Sequence, residues 1–491
     1  MGTPIRDYLD GHEDTVVAQL SEWVRLRSVA GVPEHEIDLR RSANWLAGAL
    51  RAVGVPSVEV WDTDGGPAVY GEWCAAPGAP TVLVYSHHDV RTAKDEQWQE
   101  TPPFAPAYRD GYLYGRGTSD AKGQVLAHLW AVRAHLAMTG RDTPAVNLKF
   151  IVEGEEETGS AHLRDLLHEH RPRLDADLVV FSDTLLWRAD HPAVCMSLRG
   201  MISARLEILG PLCDVHSGAV SGPAPNPAFE LSRLLAKFHD DKGRITLPGF
   251  YDDVTEPSQR FRAALAKLPF TEQDWLARSD TRSIGGEAGY TVLERLWARP
   301  AAEVISVLAG DPVGASTATV PAAAAADLSI RIVPDQRVAD VAEQLRRWVA
   351  DTISDRFGYR LTLSEETAQE PYRTPEDHPA VTALAAAMTE EFGRPAGRMG
   401  NAGGGPADLL ATTLDAPVVF FGTGLPEDRW HDSDERVGID VLLTGAATLA
   451  NFWARLAQAS ARPPATSNGG TSWCCKTFRN GTGSPRPAGA T

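Results

Sequence analysis

Four short apolar runs in this chain each break off at a histidine or a carboxylate. TVLVYS (81–86) runs into His87, His88 and Asp89, and VNLKFIVE (146–153) leads to Glu155, Glu156 and Glu157. ADLVVFS (176–182) stops at Asp183, and APVVFFG (416–422) precedes a loop that holds His431. Uninterrupted runs of this length suit strands buried on both faces. Their alternation with helical stretches such as 121–138 predicts an α/β fold around a mixed, largely parallel sheet. Ligand sites in such sheets form beyond the carboxyl ends of the strands. Four strands that deliver His, Asp or Glu to one edge therefore predict where the chemistry lies.

The stretch 13–53 reads as helix, with Val16, Val17, Leu20, Trp23 and Val24 on an apolar face. The middle of the chain has a different pattern. MISARLEIL and AADLSIRIV alternate like half-buried strands, NPAFELSRLLAKFHD and the segment carrying Val338, Val341, Leu345 and Trp348 read as helices, and RLTLSE closes the region as a strand. This order predicts an inserted α+β, ferredoxin-like domain over 201–372, between two parts of a catalytic domain at 1–200 and 373–458. Residues 459–491 are rich in Gly, Pro, Ser and Thr without periodicity, and read as a disordered tail.

Charge and composition narrow the function. Asp and Glu number 65 against 47 Lys and Arg, a formal net charge of −18, the reverse of what a nucleic-acid binder needs. No stretch approaches the ~20 apolar residues of a membrane span. The five cysteines are scattered, with neither paired CxxC spacing nor a disulfide framework. A cytoplasmic protein with no nucleic-acid or membrane partner is expected.

Each candidate residue also has an ordinary structural role. In HHDV, His87 and Asp89 face one side of the strand and His88 the other, so Asp89 suits a group that fixes the His87 tautomer. A hydrogen-bonded histidine at a strand end explains the same pattern. Asp120, in GRGTSDAKG (115–123), opens a helix and equally suits an N-cap. Three adjacent carboxylates in EGEEETGS (153–160) repel one another unless a cation sits among them or water solvates the loop. Taken together, His87, Asp120, Glu157, Asp183 and His431 fit a dinuclear, zinc-like site with one bridging carboxylate, which leaves Glu156 as a general base.

In that order YSHHDV, GRGTSDAKG, EGEEETGS, FSD and WHDSDE resemble the dinuclear metallopeptidases of the aminoacylase, carboxypeptidase G and carnosinase type. DVHSGAVSG, NPAFEL, LPGFYDDV and SIRIVPD extend the resemblance over about 10–458. It implies two divalent ions, zinc with manganese or cobalt as alternatives. His87, Asp120 and Asp183 would hold one ion and Asp120, Glu157 and His431 the other, with Asp89 orienting His87. The inserted domain would be a lid through which two chains form a homodimer. His216 would stabilise the oxyanion in the partner's site, and Arg331 would bind the substrate carboxylate. The expected activity is hydrolysis of dipeptides or short peptides. The alternatives are an N-acyl-amino-acid deacylase, desuccinylase or carboxypeptidase of the same family, and an inactive binding homologue.

Two departures stand out. NAGGGPA (401–407) lacks the arginine and serine of the Arg-x-Gly-Gly-Ser-Ile-Pro loop usual in dipeptidase-like members, though Gly403, Gly404 and Gly405 still offer backbone N–H donors to a carboxylate. Asp434 stands near His431 where asparagine is usual. A nucleotide site is disfavoured by the lack of GxxxxGK[ST], and a serine hydrolase by the lack of GxSxG.

Overall fold

The computed structural model describes residues 3–310 and 318–460. The four apolar runs form its centre: Asn147–Glu153, Thr81–His87, Leu178–Phe181 and Val418–Phe420 lie side by side in that order, all parallel. Val82, Val84, Val180 and Val419 face a core closed by Glu36–Val53, Lys122–Thr139 and Ile439–Ser460. Leu83, Tyr85, Val179 and Phe420 face the opposite core, under Leu163–Glu169 and Ala407–Leu414. Both faces are dry, which is why the strands show no polar alternation. Ala68–Trp73 and Ser57–Trp61 extend one edge antiparallel; Ala193–Leu198 leads the other, with Gly397–Asn401 and Tyr372–Arg373 paired to it.

The stretch expected as one helix over 13–53 is two, Glu13–Val24 and Glu36–Val53. The break brings Ser28 against the loop after His87: its hydroxyl donates to the His88 carbonyl, and its own carbonyl accepts from Val90 N. The helical periodicity is real on both sides of a break that serves the site.

Between Gly200 and Gln369 the chain builds a second, wholly antiparallel sheet. Its spatial order is Ala301–Ala309, Ala323–Ile332, Gly200–Leu209, Gly358–Gln369. Helices Pro227–Leu235 and Val338–Thr352 cover one face, burying Leu206, Ile208, Leu328, Ile330 and Trp348. Numbered along the chain, the strands lie 2-3-1-4 in a β-α-β-β-α-β unit, the ferredoxin-like arrangement. The sequence pattern does not predict the strand Ala301–Ala309, because as an edge strand it carries exposed apolar residues on both faces and so shows no alternation. The last helix runs through Ser460, so the expected tail otherwise lies outside the described residues. No helix among the described residues is long and apolar enough to cross a membrane.

Candidate metal centre

The carboxyl ends of the parallel strands gather the predicted residues. His87 is the last residue of its strand and is fully buried. Its Nδ1 lies 3.4 Å from Asp89 Oδ1, while its Nε2 points the other way, 3.2 Å from Asp120 Oδ1 and 3.6 Å from Asp183 Oδ1. His88 turns aside, its Nε2 2.8 Å from the Pro67 carbonyl. Asp89 does a second job: its carboxylate accepts from Glu156 N and Glu157 N at 3.2 and 3.0 Å, which ties the glutamate loop to the histidine strand.

Asp120 stands between two groups. His87, Asp120 and Asp183 form one set of potential ligand atoms, all within 4.8 Å of one another; Asp120, Glu157 and His431 form the other. The helix beyond Asp120 begins at Lys122 and receives no side-chain cap, so Asp120 is free of the capping role. The Asp120–Ala121 peptide bond is cis.

His431 Nε2 lies 3.0 Å from Asp120 Oδ2 and 3.2 Å from Glu157 Oε2, yet both buried oxygens accept no hydrogen bond. Groups crowded at these distances without hydrogen-bond partners, and with all their ligand atoms within 4.8 Å of one another, fit the shell of an ion better than a hydrogen-bonded cluster. The charges agree. Asp120, Glu156, Glu157 and Asp183 crowd two imidazoles, and Arg91 reaches Glu157 Oε2 at 3.0 Å from the rim. Burial, and then Asp120, push the Glu157 carboxyl up to about 7. Burial, then Asp183, push Glu156 well above the usual carboxylate range. Asp120 first and then Glu157, both close against its Nε2, raise His431 to about 10. Two glutamates driven to hold protons beside imidazoles that keep theirs mark a site short of positive charge, even though Asp120, between the two imidazoles, is held well below the usual carboxylate range; divalent ions fit such a site.

One decisive residue was not singled out from the sequence. Glu435 is fully buried, and its carboxylate accepts from Ser119 N, Asp120 N and Gly117 N at 3.0 Å each and from Arg116 Nη1 at 2.8 Å. It locks the loop that presents Asp120 to the loop that presents His431. Asp434 beside it accepts from Gln99 N and Glu100 N, both at 2.8 Å, through an oxygen that an asparagine would also offer.

The remaining expected residues lie outside the cluster. His216 is exposed, on the two-residue strand Val215–His216 paired with Thr319–Val320. Arg331, on Ala323–Ile332, is half-buried, and burial lowers its guanidinium pKa. Arg199 lies close enough to Arg331 to feel its charge; burial first, and then Arg331, bring Arg199 down to about 10. Arg199 N donates to Gly403 O, and its Nε to Ala402 O, both at 3.1 Å, so an arginine does stand against the glycine loop. Within that loop Gly403 N donates to the Asn401 side chain, and a Cβ on Gly404 would meet Gln369 Oε1 at 2.0 Å. Close packing thus accounts for Gly404. Asn226 caps its helix by accepting from Ala228 N.

A largely parallel sheet that gathers histidine and carboxylate side chains at the carboxyl ends of its strands is the frame of a metal-dependent hydrolase. The peptidase family M20/M25/M40 model matches residues 83–455, and the chain belongs to that family. It is 29% identical over 468 residues to human Beta-Ala-His dipeptidase, covering 92% of each chain. It is 28% identical over 440 residues to the cysteinylglycine-S-conjugate dipeptidase of Corynebacterium striatum, covering 87% of this chain and 92% of the relative. Among solved structures, an M20 family metallo-carboxypeptidase from Sulfolobus solfataricus superposes with a TM-score of 0.80 at 25% identity, over 90% of this chain and 99% of that one.

Proposed function

We propose that this enzyme hydrolyses dipeptides and uses two divalent ions, zinc with manganese or cobalt as alternatives. The observation that carries the reading is Asp120, shared by two three-residue ligand sets. His87 and Asp183 complete one set, Glu157 and His431 the other. When bound, such a pair polarises a carbonyl and supplies a nucleophilic water near neutral pH. The chain's own residues do the rest. Glu156, next to Glu157 on the loop tied to Asp89, takes the proton of the attacking water and passes it to the leaving amine. Asp89 fixes the His87 ring through Nδ1. Arg331, with Arg199 behind the Gly403–Gly405 loop, receives the substrate carboxylate; two mutually repelling guanidiniums, one half-buried and one buried, gain by meeting an anion.

The four-stranded unit serves as lid and dimerisation domain. Its edge strand leaves Val304, Ile305, Val307 and Leu308 exposed, an unpaired apolar edge that a second copy would cover. Dimerisation brings the exposed His216 of one subunit to the other's site, where it stabilises the oxyanion. The free thiols Cys74, Cys195 and Cys213 suit the reducing cytoplasm.

A free dipeptide and its N-acetylated counterpart, given to metal-reconstituted protein with products separated by chromatography, test the reading. Cleavage of the free dipeptide alone is expected. Cleavage of the acetylated compound would move the assignment to carboxypeptidase or deacylase, a reading favoured by the missing arginine and serine in the glycine loop. Glu156→Gln is expected to lower kcat by about 10²–10⁴-fold with bound metal unchanged. Turnover that survived either this change or chelation would sink the mechanism.

A further inference from the structure

The sheet edge remote from the metal centre carries a second cavity. Ala193–Leu198 is three strands away from the His87 strand, roughly 14 Å at ~4.8 Å per strand. Over this edge lies the helix Gln259–Leu265, from the segment inserted between two strands of the antiparallel unit. Leu268 seats the segment by packing against Gly397, where a Cβ would come within 2.7 Å of it. Between segment and edge is a cavity of about 400 Å³.

Four cations from separate elements surround it: Arg260 and Lys267 from the inserted segment, Arg373 and Arg398 from the sheet edge. Glu376 is the single carboxylate in its lining. The ion pairs here are loose. Arg260 reaches Glu376 at 3.4 Å and Asp377 at 3.5 Å, Arg398 reaches the same Glu376 at 3.6 Å, and Arg373 reaches Asp335 at 3.4 Å. Two residues along the same helix, Arg262 holds Glu294 at 2.6 Å, the length of an engaged charge-assisted bond. Lys267 pairs with no carboxylate among the described residues. In a chain of net charge −18, four under-engaged cations converging on one hollow are not required by the fold. The apolar part of the lining is Met196 and Met399 from the sheet and Phe261 from the overlying helix.

We propose that this cavity is a second ligand site, for a small organic dianion with an apolar or aromatic body, of which an aromatic phosphate ester is the model. The rim cations bind the anionic head in place of their long protein pairs, and the apolar lining takes the body. The volume suits a small molecule rather than a peptide. Such a ligand ties the inserted segment to the sheet edge at the point where the chain returns from the antiparallel unit, through Tyr372–Arg373.

The test is isothermal titration of the metal-loaded full chain with 1-naphthyl phosphate, and with inorganic phosphate to measure the head alone. The ester is expected to bind once per chain, at least tenfold tighter than phosphate, and to keep binding after the metals are chelated. Arg373→Ala with Arg398→Ala should weaken it tenfold or more at an unchanged melting temperature. If that pair does not fold, Lys267→Ala, at an exposed position, should weaken it about threefold. Binding that vanished with the metals, or that survived loss of these cations, would overturn the proposal, as would no saturable binding.

Discussion

A carboxylate that binds neither metal nor substrate decides whether Asp120 is in place. Glu435 accepts four hydrogen bonds, three of them from backbone N–H groups of the Asp120 loop. Glu435→Gln turns one acceptor into a donor facing donors and strips Arg116 of its counter-charge, a change of about 3–5 kcal/mol for a buried pair. Because the damage falls on Asp120, metal affinity should fall more than tenfold, read by competition with a chromogenic chelator, in protein that still shows a native circular-dichroism spectrum. Unchanged affinity would reduce Glu435 to a purely structural tie. The bond is not legible in the sequence, since it joins residues over three hundred positions apart, and nothing local in WHDSDE sets its last glutamate apart from the other acidic residues of the loop. His128 shows the opposite kind of buried polar residue. Ser182 Oγ donates to the Phe421 carbonyl and so must accept from His128 Nε2, 2.6 Å away. Burial lowers His128 to about 3. The folded protein holds it neutral where the unfolded chain takes up a proton, so its stabilisation is complete above about pH 6.5 and is lost as pH falls toward 3. Urea midpoints measured from pH 7 to 4 should fall less steeply in His128→Gln; equal slopes would exclude the assignment.

At the scale of elements, what the sequence shows is set by how each element is buried. The parallel strands lie between two dry cores, so their apolar runs are unbroken and their ends coincide with four of the five ligand candidates; fold class follows from that, whereas Asp120 stands before a helix and shows itself only through its motif. Ala301–Ala309 has neither signal. Among the described residues it pairs on one side only, and its register shifts between Val304 and Ser306, placing an extra residue, Ile305, at the edge. Ile305 is 66% and Val307 56% exposed. Natural edges are usually protected by charge, bulge or cover, and here the bulge is exposed together with apolar side chains. If a second copy provides the cover, the wild-type chain sediments at twice 53.0 kDa, and Ile305→Lys with Val307→Lys gives a folded monomer. That monomer should also lose turnover on dipeptide while retaining metal, because His216 of one subunit no longer reaches the other's site. A wild-type monomer at micromolar concentration, or a fully active monomeric variant, would refute the dimeric site.

The whole molecule has to hold together the site it builds. The proposed ligands come from the strand carrying His87, the loop before Lys122–Thr139, the turn after Asn147–Glu153, the loop after Leu178–Phe181 and the loop before Ile439–Ser460, so almost the full length of the core sheet's chain converges on one point. Without ions, clustered carboxylates oppose that convergence; with ions, they reinforce it. Binding to the folded chain alone stabilises by RT ln(1 + [M]/Kd), about 2.7 kcal/mol per site at a hundredfold excess over Kd. Thermal unfolding followed by near-ultraviolet circular dichroism should therefore shift upward on adding zinc and downward on chelation. The two ligand sets make the effect graded. Asp183→Asn removes a ligand from one set and should leave part of the shift, whereas Asp120→Asn weakens both and should abolish nearly all of it. Equal losses from the two substitutions would mean that Asp120 is not shared, and a melting temperature indifferent to chelation would mean that the convergence of these five segments serves something other than a metal.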